Sequence, residues 1–188
     1  MHIKIGICGV GSFANSFIPL FKAHPQVAEV TLCDLDAVKL KEKAERFGVS
    51  EVCLSLDQLC RTNVDAIALF TQHHLHGPQA VQALQNSKHV YSAVPPAISL
   101  PEITELIRTV EQTGKIYMLG ETSYYYPCAI YCRQRFGQGD FGAVVYAEAE
   151  YYHDYSHGLY QVAQWRHGSE WEKSVSYTHL TLPTILLV

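Results

Sequence analysis

Lys4-Ile-Gly-Ile-Cys-Gly-Val-Gly-Ser-Phe-Ala14 is the stretch that decides how this chain reads. Ile3, Ile5 and Ile7 alternate as a short buried strand would, and glycines begin where that strand has to stop. Gly9 and Gly11 supply a tight turn and bare backbone that a pyrophosphate can approach. Val10, Ser12 and Phe13 complete the loop, and Ala14 takes the third, small-residue position of a G-x-G-x-x-G/A fingerprint. A helix starting there turns its unpaired N–H groups and positive dipole end toward the phosphates.

Glycine turns of this kind also join strands to helices in proteins that bind no nucleotide, so the surroundings decide. Phe13, Phe17, Leu20 and Phe21 give the following segment one apolar face. The next apolar run, Val30-Thr-Leu-Cys33, ends in Asp34, 20 residues after Ala14. A carboxylate at that point accepts hydrogen bonds from both ribose hydroxyls of NAD and repels a 2′-phosphate. The expected ligand is a dinucleotide, NAD in preference to NADP. Its expected contacts are Gly9, Val10, Gly11, Ser12, Phe13, Ala14 and Asp34.

The chain has 188 residues, more than one average domain and fewer than two complete ones. Its 48% apolar content is enough for a real core. The net charge of -4 is spread along the chain with no run of Lys or Arg, so neither nucleic acid nor an anionic membrane is expected as a partner. A small molecule is. The six cysteines form no C-x-x-C pair, and Cys128 and Cys132 stand at helical i, i+4 spacing with no matching pair elsewhere. Buried thiols of a reducing cytoplasm are expected, and no metal. No apolar run reaches membrane-spanning length, and the apolar start is too short for a signal peptide.

Strands are expected at 27–33, 51–54, 64–70, 88–92 and 115–119, with helices at 37–47, 56–60, 76–86 and 101–113 between them. Ser99 should cap the last helix, and Gly48 and Gly114 should close theirs. Such a series implies an α/β fold, a doubly wound parallel sheet of the Rossmann type with ligand at the C-terminal strand ends. After Gly120 the pattern changes. Residues 122–136 read as one aromatic-rich helix interrupted at its start by Pro127, Gly139-Asp-Phe-Gly142 as a turn, and 143–152 as a strand opening an α+β open-sheet domain.

Over roughly residues 3–172 the sequence resembles the Gfo/Idh/MocA family, NAD(P)-dependent sugar and cyclitol oxidoreductases with a Rossmann domain followed by a large open-sheet domain. In that family the fourth strand ends in a Thr-rich turn followed by a His, matched here by Thr71-Gln-His-His-Leu-His76. A Gly-Lys-His-Val-like strand comes next, here Ser87-Lys-His-Val90. The resemblance implies cofactor contacts at Thr71, His76, Val94 and Pro95, a carbohydrate-like substrate, and a homo-oligomer at full length.

Where the family usually carries Glu-Lys-Pro, this sequence has Ala93-Val94-Pro95. An ammonium there would polarise or deprotonate the substrate hydroxyl as hydride leaves, a role closed to Val94. Three readings stay open. Another group could carry the proton, drawn from Tyr124, Tyr125, Tyr126, His153 or His157, with Tyr125 and His153 the chosen catalytic candidates. The protein could be a redox-assisted lyase or glycosidase, since NAD-dependent α-N-acetylgalactosaminidases resemble this family. It could also bind dinucleotide without turnover. His73 and His74 read as solvated loop residues, because no carboxylate or cysteine accompanies them in sequence. Tyr151-Tyr-His-Asp154 reads equally as a histidine oriented by an acid or as an aromatic strand end.

Residues 175–184, Val-Ser-Tyr-Thr-His-Leu-Thr-Leu-Pro-Thr, carry no charged side chain apart from His179 and match one translated frame of a common transposon adapter. The expected organisation is an NAD(P)-binding Rossmann domain over 1–120, the truncated start of a substrate and oligomerisation domain over 121–174, and an adapter-encoded tail over 175–188. A fragment cut in this way is expected to be inactive by itself.

Overall fold

Near-continuous apolar runs build the strands, as a sheet buried on both faces requires. The computed structural model describes residues 2–148, in two compact units that meet in sequence between Gly120 and Glu121. In the first unit β1 (Ile3–Cys8), α1 (Ala14–Ala23), β2 (Val27–Cys33), α2 (Ala37–Phe47), β3 (Glu51–Cys53) and α3 (Leu56–Arg61) form one half. The other half is β4 (Ala66–Leu69), a 3-10 turn (His73–Leu75), α4 (His76–Gln85), β5 (His89–Ser92), α5 (Leu100–Thr113) and β6 (Tyr117–Leu119).

All pairings are parallel, and the strand order is β3-β2-β1-β4-β5-β6. The chain leaves β1 toward β2 on one side and β4 toward β5 on the other. A crevice therefore opens where the order reverses, at the C-terminal ends of β1 and β4.

Two cores cover the two sheet faces. Ile7, Ile18, Leu32, Leu40 and Phe70 pack under α1 and α2. Leu59, Ile67, Leu69, Leu84 and Leu106 pack under α3, α4 and α5. Ile7, Ile18, Leu32, Ile67, Leu69 and Leu84 are fully enclosed, and each such side chain contributes about 1.5–3 kcal/mol of burial.

Local chemistry sets the helix ends. Asp36 Oδ1 accepts from the N–H groups of Val38 and Lys39 at 3.0 Å, Ser55 Oγ from Gln58 N at 3.2 Å, and Ser99 Oγ from Glu102 N at 3.4 Å. Gly48 and Gly114 close α2 and α5 in the left-handed conformation, as the sequence implied.

The second unit departs from expectation at two points. Its described part holds a 3-10 turn (Thr122–Tyr125) and then α6 (Pro127–Gly137), so Pro127 begins the helix instead of interrupting one. The residue before a proline is pushed out of the helical region, and Tyr126 is extended at φ -61° and ψ 141°. The turn closes as Gly142 N donates to Gly139 O at 2.9 Å. Residues 143–148 form no strand: a ladder needs a partner for its N–H and C=O groups, and among the described residues they have none. The remainder of the expected strand at 149–152, His153, His157 and the tail at 175–188 lie outside the described residues.

Candidate dinucleotide site

The glycine loop leaves the end of β1 with Gly9 at φ +90°. Its N–H donates to Cys33 O at 2.8 Å, and a Cβ at this position would lie 2.6 Å from Phe70 O. Gly9 is therefore required by its left-handed backbone and by the passage of the β4 end behind it. Gly11 differs. A Cβ there would meet nothing within 4 Å, so its bare backbone faces open space. Val10 and Ala14 are fully enclosed, while the Phe13 ring is half exposed and packs tilted against Phe17 and edge-on against Phe70, at 4.8 and 5.6 Å between centroids.

No side chain caps α1, whose first-turn N–H groups lie beside that open loop. Together with the space at Gly11, this fits a pyrophosphate. At the end of β2, Asp34 Oδ2 accepts from Val10 N at 2.9 Å and Oδ1 accepts from Asp36 N at 3.0 Å. Each carboxylate oxygen retains acceptor capacity for a ribose hydroxyl. Lys39 Nζ, on the first turn of α2, stands 3.7 Å from Asp34 Oδ1 and 3.9 Å from Asp36 Oδ2. Sequence reasoning passed over this lysine. Its signal was a cation five residues beyond the acid, which the helix start folds back toward it.

On the other side of the crevice, the turns after β4 and β5 run together, with Ala93 N donating to Leu69 O at 3.0 Å. Thr71 Oγ1 donates to Gln79 Oε1 at 2.6 Å. His76 is 1% exposed, and its ring lies between two backbone carbonyls, Nδ1 2.7 Å from Pro95 O and Nε2 3.0 Å from Thr71 O. Burial holds its pKa below the ordinary imidazole value, partly opposed by those two carbonyls, with His74 acting in the same direction as burial. Val94 exposes 40% of its surface on the β5 turn and carries no titratable group, and the Val94–Pro95 bond is cis.

Of the residues read from sequence, Gly9, Val10, Gly11, Ser12, Phe13, Ala14 and Asp34 share the β1–β2 side, and Thr71, His76, Val94 and Pro95 share the β4–β5 side. Tyr125 belongs to the second unit, where it is exposed and packs edge-on against Tyr124 at 5.1 Å. Among the described residues no three His, Cys, Asp or Glu side chains gather where a metal could be held, and no helix is long and apolar enough to cross a membrane.

The Gfo/Idh/MocA family, described as an oxidoreductase family with an NAD-binding Rossmann fold, matches residues 3–121. The chain belongs to this family. It is 29% identical over 179 residues to a glycosyl hydrolase family 109 protein of Saccharopolyspora erythraea, covering 87% of this chain and 39% of that protein. It is 28% identical over 162 residues to the trans-1,2-dihydrobenzene-1,2-diol dehydrogenase of Mus musculus, covering 84% and 48%. The chain thus spans less than half the length of these relatives. In fold it is similar to the scyllo-inositol dehydrogenase of Lactobacillus casei with bound NAD(H) and scyllo-inositol, with a TM-score of 0.71 at 23% identity over 76% of this chain and 43% of that one.

Proposed function

We propose that the full-length protein transfers a hydride between a carbinol carbon of a sugar, polyol or cyclitol and a nicotinamide cofactor, with NAD preferred to NADP. The observation that carries this reading is the pairing of an open glycine loop at Gly11 with Asp34 at the end of β2. A similar protein named as a trans-1,2-dihydrobenzene-1,2-diol dehydrogenase supports a ring carbinol as the reacting group. When bound, the nicotinamide supplies the hydride acceptor or donor. Gly11 and the start of α1 hold the pyrophosphate, Asp34 the adenosine ribose, and the turns at Thr71 and Val94–Pro95 border the nicotinamide. Oxidising a carbinol to a carbonyl also releases the hydroxyl proton, which Val94 cannot take. We assign that proton to Tyr125 or His153. Six free thiols support a reducing, cytoplasmic setting, and a homo-oligomer at full length completes the proposal.

A second reading is favoured by two observations, the apolar Val94 and the glycosyl hydrolase family 109 names among the relatives. Here the sugar would be oxidised two carbons from the anomeric carbon, which acidifies the C–H between them; that proton and the aglycone oxygen would leave, water would add to the resulting double bond, and return of the hydride would leave no net NADH. The full-length protein, given NAD with polyols, free sugars and aryl glycosides, distinguishes the two. Net NADH supports the dehydrogenase, with Tyr125→Phe lowering kcat at little change in KM. Glycoside release without net NADH supports the hydrolase. Cofactor binding with neither outcome overturns both.

A further inference from the structure

His76 is the first residue of α4, yet its ring reaches two turns that belong to different strands. In a doubly wound sheet the two halves of a dinucleotide lie on opposite sides of the crevice. Asp34 and the glycine loop occupy the β1–β2 side, so the turns after β4 and β5 border the nicotinamide half. We propose that His76 is a positioning residue for that half: its ring sits between the two turns, donating its one N–H to Pro95 O and packing against Thr71 O, and thereby fixes their separation without touching the cofactor itself. The proposal rests on the dinucleotide reading above.

The proton count sharpens it. A neutral imidazole has one N–H, yet both ring nitrogens face a carbonyl oxygen. The shorter contact assigns that proton to Nδ1, donating to Pro95 O, so Nε2 faces Thr71 O without a proton. Thr71 is held from the other direction by its hydroxyl bond to Gln79. An imidazolium would donate to both carbonyls, at the cost of an ion in a nearly closed site. The groups around it are the His73 ring at 5.8 Å and His74 on the preceding turn, with Glu102 of α5 lying against Gly77 and accepting from Ile98 N at 3.2 Å.

The test compares NAD with ADP-ribose, which lacks the nicotinamide, by calorimetric titration of the chain and its variants. His76→Ala is expected to weaken NAD about tenfold, the scale of one lost hydrogen bond, and to leave ADP-ribose within about twofold. His76→Gln offers an amide NH2 in place of the ring's single N–H and is expected to recover most of the NAD affinity. Equal losses for both ligands would mean a general structural role, and no loss would mean no role; either overturns the proposal. A ligand-free readout stands apart from the dinucleotide reading and also serves should His76→Ala not fold. Nitrogen-15 spectra of the ring at neutral pH are expected to show a protonated Nδ1 and a bare Nε2. The opposite tautomer, or a ring exchanging freely with solvent, overturns the bridge even if NAD binds; a wild-type chain with the bridge but no affinity for either ligand instead overturns the dinucleotide reading and the role assigned to His76.

Discussion

The Asp34 carboxylate accepts a hydrogen bond from the Val10 N–H at 2.9 Å, joining the end of β2 to the middle of the glycine loop. One side chain thus shapes the loop while keeping acceptor capacity for a ligand, and sequence reading foresaw only the second role. Asp34→Ala is expected to weaken NAD by about tenfold to a hundredfold, since hydrogen bonds to charged groups contribute roughly 1.5–3 kcal/mol. NADP should lose less, because its 2′-phosphate no longer meets a carboxylate and still finds Lys39. Titration of both cofactors checks this, and an unchanged ratio of affinities would remove Asp34 as the discriminating group.

What the sequence made legible was local. The cap at Ser99 acts within three residues of itself, and the glycine closures at 48 and 114 follow from backbone freedom. The order of elements followed from the alternating apolar runs. The Asp34–Val10 bond and the two carbonyls at His76 join residues 24, 5 and 19 positions apart, and the longer pairings depend on the sheet assembling first. Pro127 was misread because a proline serves both as a helix breaker and as a helix first residue, and only the extended Tyr126 before it decides. The alternation at 143–148 looked like a strand, but alternation specifies a face and supplies no partner strand.

Cys8, Cys33 and Cys53 end three adjacent strands in register, and Cys60 of α3 joins them in the same core. The Cys33 thiol is pushed up by its hydrogen bond with Cys8 and by burial, Cys53 is raised by burial, and Cys60 is raised to about 11, again mainly by burial. Cys33, Cys53 and Cys60 therefore ionise little at pH 8, and the thiolate is the reactive form. An aromatic disulfide reagent is expected to titrate two cysteines quickly in the native chain, Cys128 and Cys132, and all six in denaturant. Rapid native labelling of any of the other four would contradict the packing of the α3 face.

For His76, burial lowers the folded-state pKa below the ordinary value of about 6.5. As pH falls through that ordinary value, the unfolded chain takes up a proton that the folded ring resists. The unfolded state then binds more protons, so stability decreases toward acid, from the ordinary pKa down to the depressed one, and is fully present above both. His76→Gln removes this component. Denaturant unfolding at a series of pH values between 8 and 5 is expected to give a shallower decline for the variant, and parallel curves would show that the buried ring does not resist protonation.

Gly9 and Gly11 are separated by one residue and should fail in different ways. Alanine at Gly9 would have to adopt φ +90° and bring its Cβ to 2.6 Å from Phe70 O, a backbone atom held in the sheet end that cannot swing aside. Strained backbone of this kind costs roughly 1–3 kcal/mol before the clash is counted, so Gly9→Ala is expected to lower the unfolding temperature clearly and weaken NAD only as a consequence. Alanine at Gly11 meets nothing within 4 Å in the free protein, so its unfolding temperature should stay close to wild type. Its methyl group would instead occupy the space that a pyrophosphate needs, and NAD affinity should fall sharply. Thermal unfolding with and without NAD reads both effects at once. Gly11→Ala with undiminished stabilisation by NAD would mean that the phosphates do not approach the loop there.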